Sequence, residues 1–256
     1  MKNSVNWKLL FGLLVASVVS GLGIMPYALE LNPAIKEIFS PTFLVAQIIQ
    51  TFIIFFIIIF FGLRMAKQVG FGLPILEGIS RGEKKCDYLK SILGKSVGWG
   101  VLAAVIIILL SFFWPSLSVS FLKLEVAMPV WKLLLTPFYG GIGEEVLLRL
   151  FMMTFFVWIS FKIHKTAEGL PTNNGVWSAI IASSIIFGIG HLPITSGVAD
   201  INLSIVARAI LLNGVAGIIF GWLYWKKGLE SAIIAHFSAD VVLHIILPVT
   251  ASFFMG

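Results

Sequence analysis

The chain has 256 residues, of which 59% are hydrophobic and only 12% charged, against about 25% charged in soluble domains. With a mean hydropathy of +1.02, that composition excludes an ordinary soluble domain. The formal charge of +6 does not argue for nucleic acid, because the basic residues sit between apolar runs with no aromatic interleaving and no recognised motif.

Leu9 to Leu29, Ser40 to Leu63 and Ser96 to Leu122 each lack Asp, Glu, Lys and Arg, and each is long enough to cross about 30 Å of hydrocarbon as a helix. Nothing alternates as the strands of a membrane barrel would. The expected fold is an all-α, polytopic transmembrane bundle of seven to eight spans. It forms one membrane domain, with N-terminal spans and a basic loop over residues 1–128 and a motif-bearing core over 129–247.

In chain order, the first span is expected from Trp7 to Pro26, as an uncleaved span because no small-x-small cleavage site follows it. The second is expected from Thr42 to Gly62, after a loop with Glu30, Lys36 and Glu37. Arg64 to Lys95 is the longest polar stretch, and its Phe71 to Ile79 portion suits a segment lying along the membrane surface. A third span runs from Leu93 to Trp114 and stops at Pro115. Pro129 to Tyr139 reads as a lead-in. The fourth span follows from Ile142 to Ile163, with Glu144 and Glu145 in its first turn, where the helix dipole favours carboxylates. The fifth runs from Val176 to His191 and the seventh from Leu229 to Leu247. Between them the sixth, Ile205 to Trp225, has Gly214, Gly217 and Gly221 for close helix approach. The tail from Pro248 to Gly256 would add a short eighth element.

The lone cysteine, Cys86, rules out an internal disulfide framework and an all-cysteine zinc site. Lys and Arg crowd the loops on the N-terminal side, from Lys2, Lys8, Arg64 and Lys67 to Lys226 and Lys227, and leave Lys36, Lys123 and Lys132 on the other. That asymmetry predicts a cytoplasmic N-terminus and places Glu144 and His191 toward the outer side of the cell membrane.

The chemistry concentrates in the second half. A charge at bilayer depth costs about 2.5 to 3.5 kcal/mol on insertion scales, yet Glu144, Glu145 and Arg149 fall within six positions of one apolar run. Glu145 and Arg149 stand at i and i+4, acid first, the favourable order for a structural ion pair. Glu144 points about 100° away from Glu145. The other deep cation is Arg208, so Glu144 is better placed for chemistry than for a second bridge. Among the twelve acidic residues, only Glu144, Glu145 and Asp240 fall inside apolar runs, together with His191, His236 and His244. His236 and Asp240 are again i and i+4, so the carboxylate can fix the imidazole tautomer. His244 drifts off that face and reads as packing or polar lining rather than catalytic. Such a set supports water activation by a general base or a metal site of His191, His236, Asp240 and a glutamate. No His-Glu-x-x-His pair favours the metal. Cys86 and the serines Ser183, Ser184 and Ser238 have no nucleophile motif around them.

Three motifs carry a resemblance: Glu144-Glu145-Val146-Leu147-Leu148-Arg149, Phe187-Gly188-Ile189-Gly190-His191 and His236-Phe237-Ser238-Ala239-Asp240. In this order on successive helices they resemble the EExxxR, FxxxH and HxxxN/D signatures of the CAAX protease and bacteriocin-processing (Abi) membrane endopeptidases. The resemblance implies a glutamate-type intramembrane peptidase with no metal and no other cofactor. Its partners would be membrane lipids and a peptide substrate, either a lipidated, prenylated C-terminus or a bacteriocin-like leader. It implies that Glu144 and His191 activate water, that His236 and Asp240 lie at the oxyanion, and that Glu145 and Arg149 hold the helix. It also implies a site open to the cytosol, against the charge count. Asp240 stands where the CAAX endopeptidases have asparagine, and an ionised carboxylate cannot donate to an oxyanion. The competing classes are a non-catalytic immunity or regulatory protein of the same fold and a proton-coupled transporter, for which no inverted repeat is visible.

Overall fold

The computed structural model describes residues 5–255, apart from the side chains of 33–35 and 255; Lys2 and Gly256 lie outside the described residues. Among these residues the chain is helical without a strand, with seven helices long and apolar enough to cross a membrane: Trp7–Leu31, Pro41–Val69, Cys86–Ser111, Val130–Ile163, Asn173–Thr195, Leu203–Lys227 and Leu229–Phe254. They are called spans one to seven below.

Local chemistry sets most of their ends. Asn6, Ser40, Thr172 and Asn202 cap spans one, two, five and six, each accepting a bond from a backbone N–H three residues on, which satisfies a donor that the first helical turn leaves open. Spans two and six stop at Gly70 (φ 76°) and Gly228 (φ 89°), in the left-handed region that suits a residue without a Cβ.

Several expectations change. Spans two and three are longer than the uncharged runs, because Arg64, Lys67 and Cys86 to Lys95 continue the helices. Polar residues at the interface need not end a helix whose backbone bonds are already made. A separate lead-in is present as the short helix Val130–Leu133, which a turn at Leu134 and Leu135 parts from the helical run that begins at Thr136. Glu144 and Glu145 lie about two turns into that run rather than in its first turn, so the dipole does not explain them. Two π-helical stretches, Tyr139–Glu144 and Val146–Met153, flank Glu145, and a third, Val241–Ile246, follows Asp240. The tail is no eighth element, since Leu247–Met255 continues the seventh helix. Phe71 to Ile79 does not lie free along a surface. Its short helix Pro74–Ser80 docks on the bundle, with Leu73 fully buried and the amides of Ile75 and Leu76 both donating to Glu230 Oε1 at 2.9 Å. A helix at Pro115–Val126 fills what had no assigned structure.

Span five is the most buried, at 44% of its most apolar window, and span two the least, at 17%. Phe52, Ile53, Ile57 and Phe61 of span two are exposed, as side chains facing lipid would be. Small residues seat the inner helices. A Cβ on Gly100 would lie 2.1 Å from the Ala235 carbonyl, one on Gly188 2.5 Å from Ile210 Cα, and one on Gly217 2.6 Å from Ser184 Oγ. Of the three span-six glycines, Gly217 and Gly221 make close approaches, whereas Gly214 faces open space.

Candidate active site

Spans four, five, six and seven bring the motif residues together. Arg149 is 1% exposed and Glu145 fully buried. Their ion pair forms as the spacing predicts, Nη1 to Oε1 at 3.1 Å. The guanidinium is also covered by the rings of Phe187 and Phe220, at 5.0 and 5.5 Å, and donates weakly to the Gly217 carbonyl at 3.4 Å. Two aromatic faces and a carboxylate make this cation tolerable at depth.

Glu145 has a second partner that helix spacing could not reveal. Its Oε1 accepts from His236 Nδ1 at 2.8 Å, across 91 positions of sequence. A carboxylate only accepts, so Nδ1 bears the hydrogen. This corrects the expectation that Asp240 fixes the tautomer: Asp240 Oδ1 stands 3.6 Å from the other nitrogen, Nε2, and Glu144 Oε2 stands 3.6 Å from the same atom. The imidazole is held flat, stacked on Phe220 at 4.7 Å and edge-on to Phe187 at 5.6 Å. Glu144 and Asp240 keep 16% and 12% of their side-chain surface open, against 0% for Glu145. The acid pointing away from the structural ion pair is thus the accessible one.

His191 closes span five on the same ring. Phe187 packs edge-on against it at 4.8 Å, so one phenyl touches the imidazoles of both His191 and His236. His191 Nδ1 pairs with the Phe187 carbonyl at 2.9 Å. A carbonyl cannot donate, so Nδ1 carries the proton and Nε2 is the free basic nitrogen. Gly140 lets span four approach, because a Cβ there would lie 2.1 Å from Asp240 Oδ2 and 2.9 Å from His236 Nε2.

Next to this set lies a cluster that was not expected. Glu125 Oε1 accepts from Tyr27 Oη and from His244 Nδ1, both at 2.6 Å. His244 thus takes the polar of its two expected roles, one turn beyond Asp240. Glu125 and Glu230 are buried although both flank apolar runs instead of interrupting them. The hint for Glu125 was its place right after an uncharged run. Nothing local marked Tyr27.

The hydroxyls of Ser183, Ser184 and Ser238 donate to carbonyls of their own helices, and Cys86 is exposed. No group of three or more His, Cys, Asp and Glu side chains is arranged to hold a metal ion among the described residues. A cavity of about 650 Å³ lies away from this cluster. It opens at the Lys- and Arg-rich end, between Asn6, Arg64, Lys67, Glu77 and Lys227.

Residues 126–242 match the family described as type II CAAX prenyl endopeptidase Rce1-like. No curated protein and no solved structure matches the chain. The matched region contains all three signatures, which supports membership of the CAAX protease family of membrane endopeptidases.

Proposed function

We propose that the protein is a glutamate-type intramembrane endopeptidase in which Glu144 is the general base for a hydrolytic water. The observation that carries this reading is the shared position of Glu144 and Asp240, each 3.6 Å from His236 Nε2, while Glu145 fixes Nδ1. In the proposed cycle Glu144 takes one proton from water and His191 Nε2 accepts the water's second hydrogen bond. The hydroxide oxygen adds to the scissile carbonyl carbon, and the displaced π electrons collect on the carbonyl oxygen. A hydrogen on His236 Nε2, shared with Asp240, meets that oxyanion. Collapse of the intermediate breaks the C–N bond, and the amine nitrogen takes the proton from Glu144.

This assignment also resolves the aspartate in the third motif. Three carboxylates face one guanidinium and one imidazole, so full ionisation of the acids around a neutral imidazole would leave two uncompensated negative charges. A proton held between His236 and Asp240 lowers that cost and gives the site its donor.

Lipidated C-terminal peptides and leader peptides are the proposed substrate classes. The test is hydrolysis by the purified protein of a panel of prenylated and leader peptides, read by mass spectrometry, with and without a chelator. Cleavage at one internal bond that is unchanged by chelation supports the reading. Activity lost to the chelator and restored by zinc would move the function to the metal class.

A further inference from the structure

Arg208 is the one deep cation that the fold leaves without an anion. It sits six residues into span six, roughly 8 Å along the helix at 1.5 Å per residue. Arg149 has Glu145 at 3.1 Å; Arg208 has no carboxylate within salt-bridge distance among the described residues. Its guanidinium lies 5.7 Å from the centre of the Phe121 ring, and its Nε is shut off from solvent with no hydrogen-bond partner. The nearest acids do not serve it. Asp200 is exposed in the preceding loop. Glu125, one turn beyond Phe121, has its Oε1 committed to Tyr27 and His244. A half-buried guanidinium with an orphaned donor is costly unless something completes it.

Its place in the bundle says what would. Span six runs antiparallel to span five, and Gly188 packs on Ala209 and Ile210, so Arg208 lies at the level of the last turn of span five, where His191 stands. Side chains connect it to the cluster: Arg208 to Phe121, one helical turn to Glu125, Glu125 to His244, one turn to Asp240. Resting on the endopeptidase reading above, we infer that Arg208 binds the free C-terminal carboxylate of the peptide substrate. A guanidinium fork matches a carboxylate in geometry. One unaccompanied cation also fits a singly charged terminus better than a phosphate headgroup, which basic clusters select: Lys123 is exposed and Lys132 is engaged by Glu30.

The test compares a cleaved peptide carrying a free C-terminal carboxylate with its C-terminal carboxamide, using the wild-type protein, Arg208→Gln and Arg208→Lys in phosphatidylcholine nanodiscs. Thermal unfolding checks that each variant is folded. For the wild type, amidation should raise KM about tenfold or more with kcat little changed. Arg208→Gln should raise KM for the carboxylate peptide to the carboxamide level and leave the carboxamide KM where it is, and Arg208→Lys should recover part of the loss. Equal KM values for the two peptides with wild-type protein overturn the assignment, as does an Arg208→Gln defect of the same size on both. A defect that appears only when phosphatidylglycerol is included, whatever the peptide terminus, identifies a lipid phosphate instead and also overturns it. Absence of all hydrolysis would count against the protease reading alone. Binding of the labelled peptide pair to Glu144→Gln protein, by fluorescence anisotropy, then decides the carboxylate question, and equal Kd values refute it.

Discussion

The two adjacent glutamates show how one residue step divides labour at depth. The i, i+4 relation to Arg149 was visible from the sequence, and the structure forms that pair. The bond from His236 to Glu145 was not visible, because a contact between spans four and seven leaves no trace in local spacing. Glu145 thereby joins the cation that anchors span four to the imidazole that faces Glu144. Glu145→Gln should therefore do two things. It should strand the Arg149 charge, at a stability cost of about 3 to 5 kcal/mol for a broken buried pair, and free His236 to turn. Urea or thermal denaturation in detergent measures the first, and kcat on whatever protein stays folded measures the second. A variant as stable as wild type would remove Glu145 from this supporting role. Glu125 escaped the sequence reading for a different reason: a charge at the edge of an apolar run looks like an interfacial residue until Tyr27 and His244 are seen to close over it.

At the scale of the helix, hydropathy located all seven spans but neither their ends nor their internal geometry. Apolar content reports the part of a helix that lies in hydrocarbon. Helical hydrogen bonding continues past it, as in Arg64 to Val69 and Cys86 to Lys95. The π-helical turns beside Glu145 and after Asp240 shift the positions of side chains relative to a regular helix, and such turns gather at functional sites in many proteins. Gly140 belongs to this scale too, since its lack of a Cβ lets a π-helical stretch of span four lie against span seven. Gly140→Ala would put a methyl group 2.1 Å from a carboxylate oxygen. The atoms in the way are side-chain ends, Asp240 Oδ2 and, at 2.9 Å, His236 Nε2, so both side chains would have to shift while the backbone stays. Stability should change little, and kcat should fall about 100-fold, the usual cost of misplacing a reacting constellation by around 1 Å. Gly98→Ala, with nothing within 4 Å of its Cβ, is the control and should be neutral in both assays. Full activity in Gly140→Ala would show that Asp240 need not stay where it is.

For the whole molecule, seven crossings put the two termini on opposite sides of the membrane. The Lys and Arg residues gather at the end that holds the N-terminus of span one and the C-terminus of span six, and His191 closes span five at the other end. The positive-inside rule then predicts a cytoplasmic N-terminus, an external C-terminus and a site nearer the external face. Epitope tags on the two ends, probed in intact and in permeabilised cells, should be accessible on opposite sides, the C-terminal one from outside. An external N-terminus would invert the arrangement and turn the site toward the cytosol, as the family resemblance implied. The cavity at the basic end is apart from the motif residues.

The central claim is that Glu144 and His191, delivered by different spans, act on one water. Its most direct test is the single-turnover cleavage rate of a cognate peptide by purified wild-type, Glu144→Gln and His191→Ala proteins with matched unfolding temperatures. Both variants should bind the peptide and cleave it at least about 100-fold more slowly than wild type. Cleavage by either variant at close to the wild-type rate would contradict it.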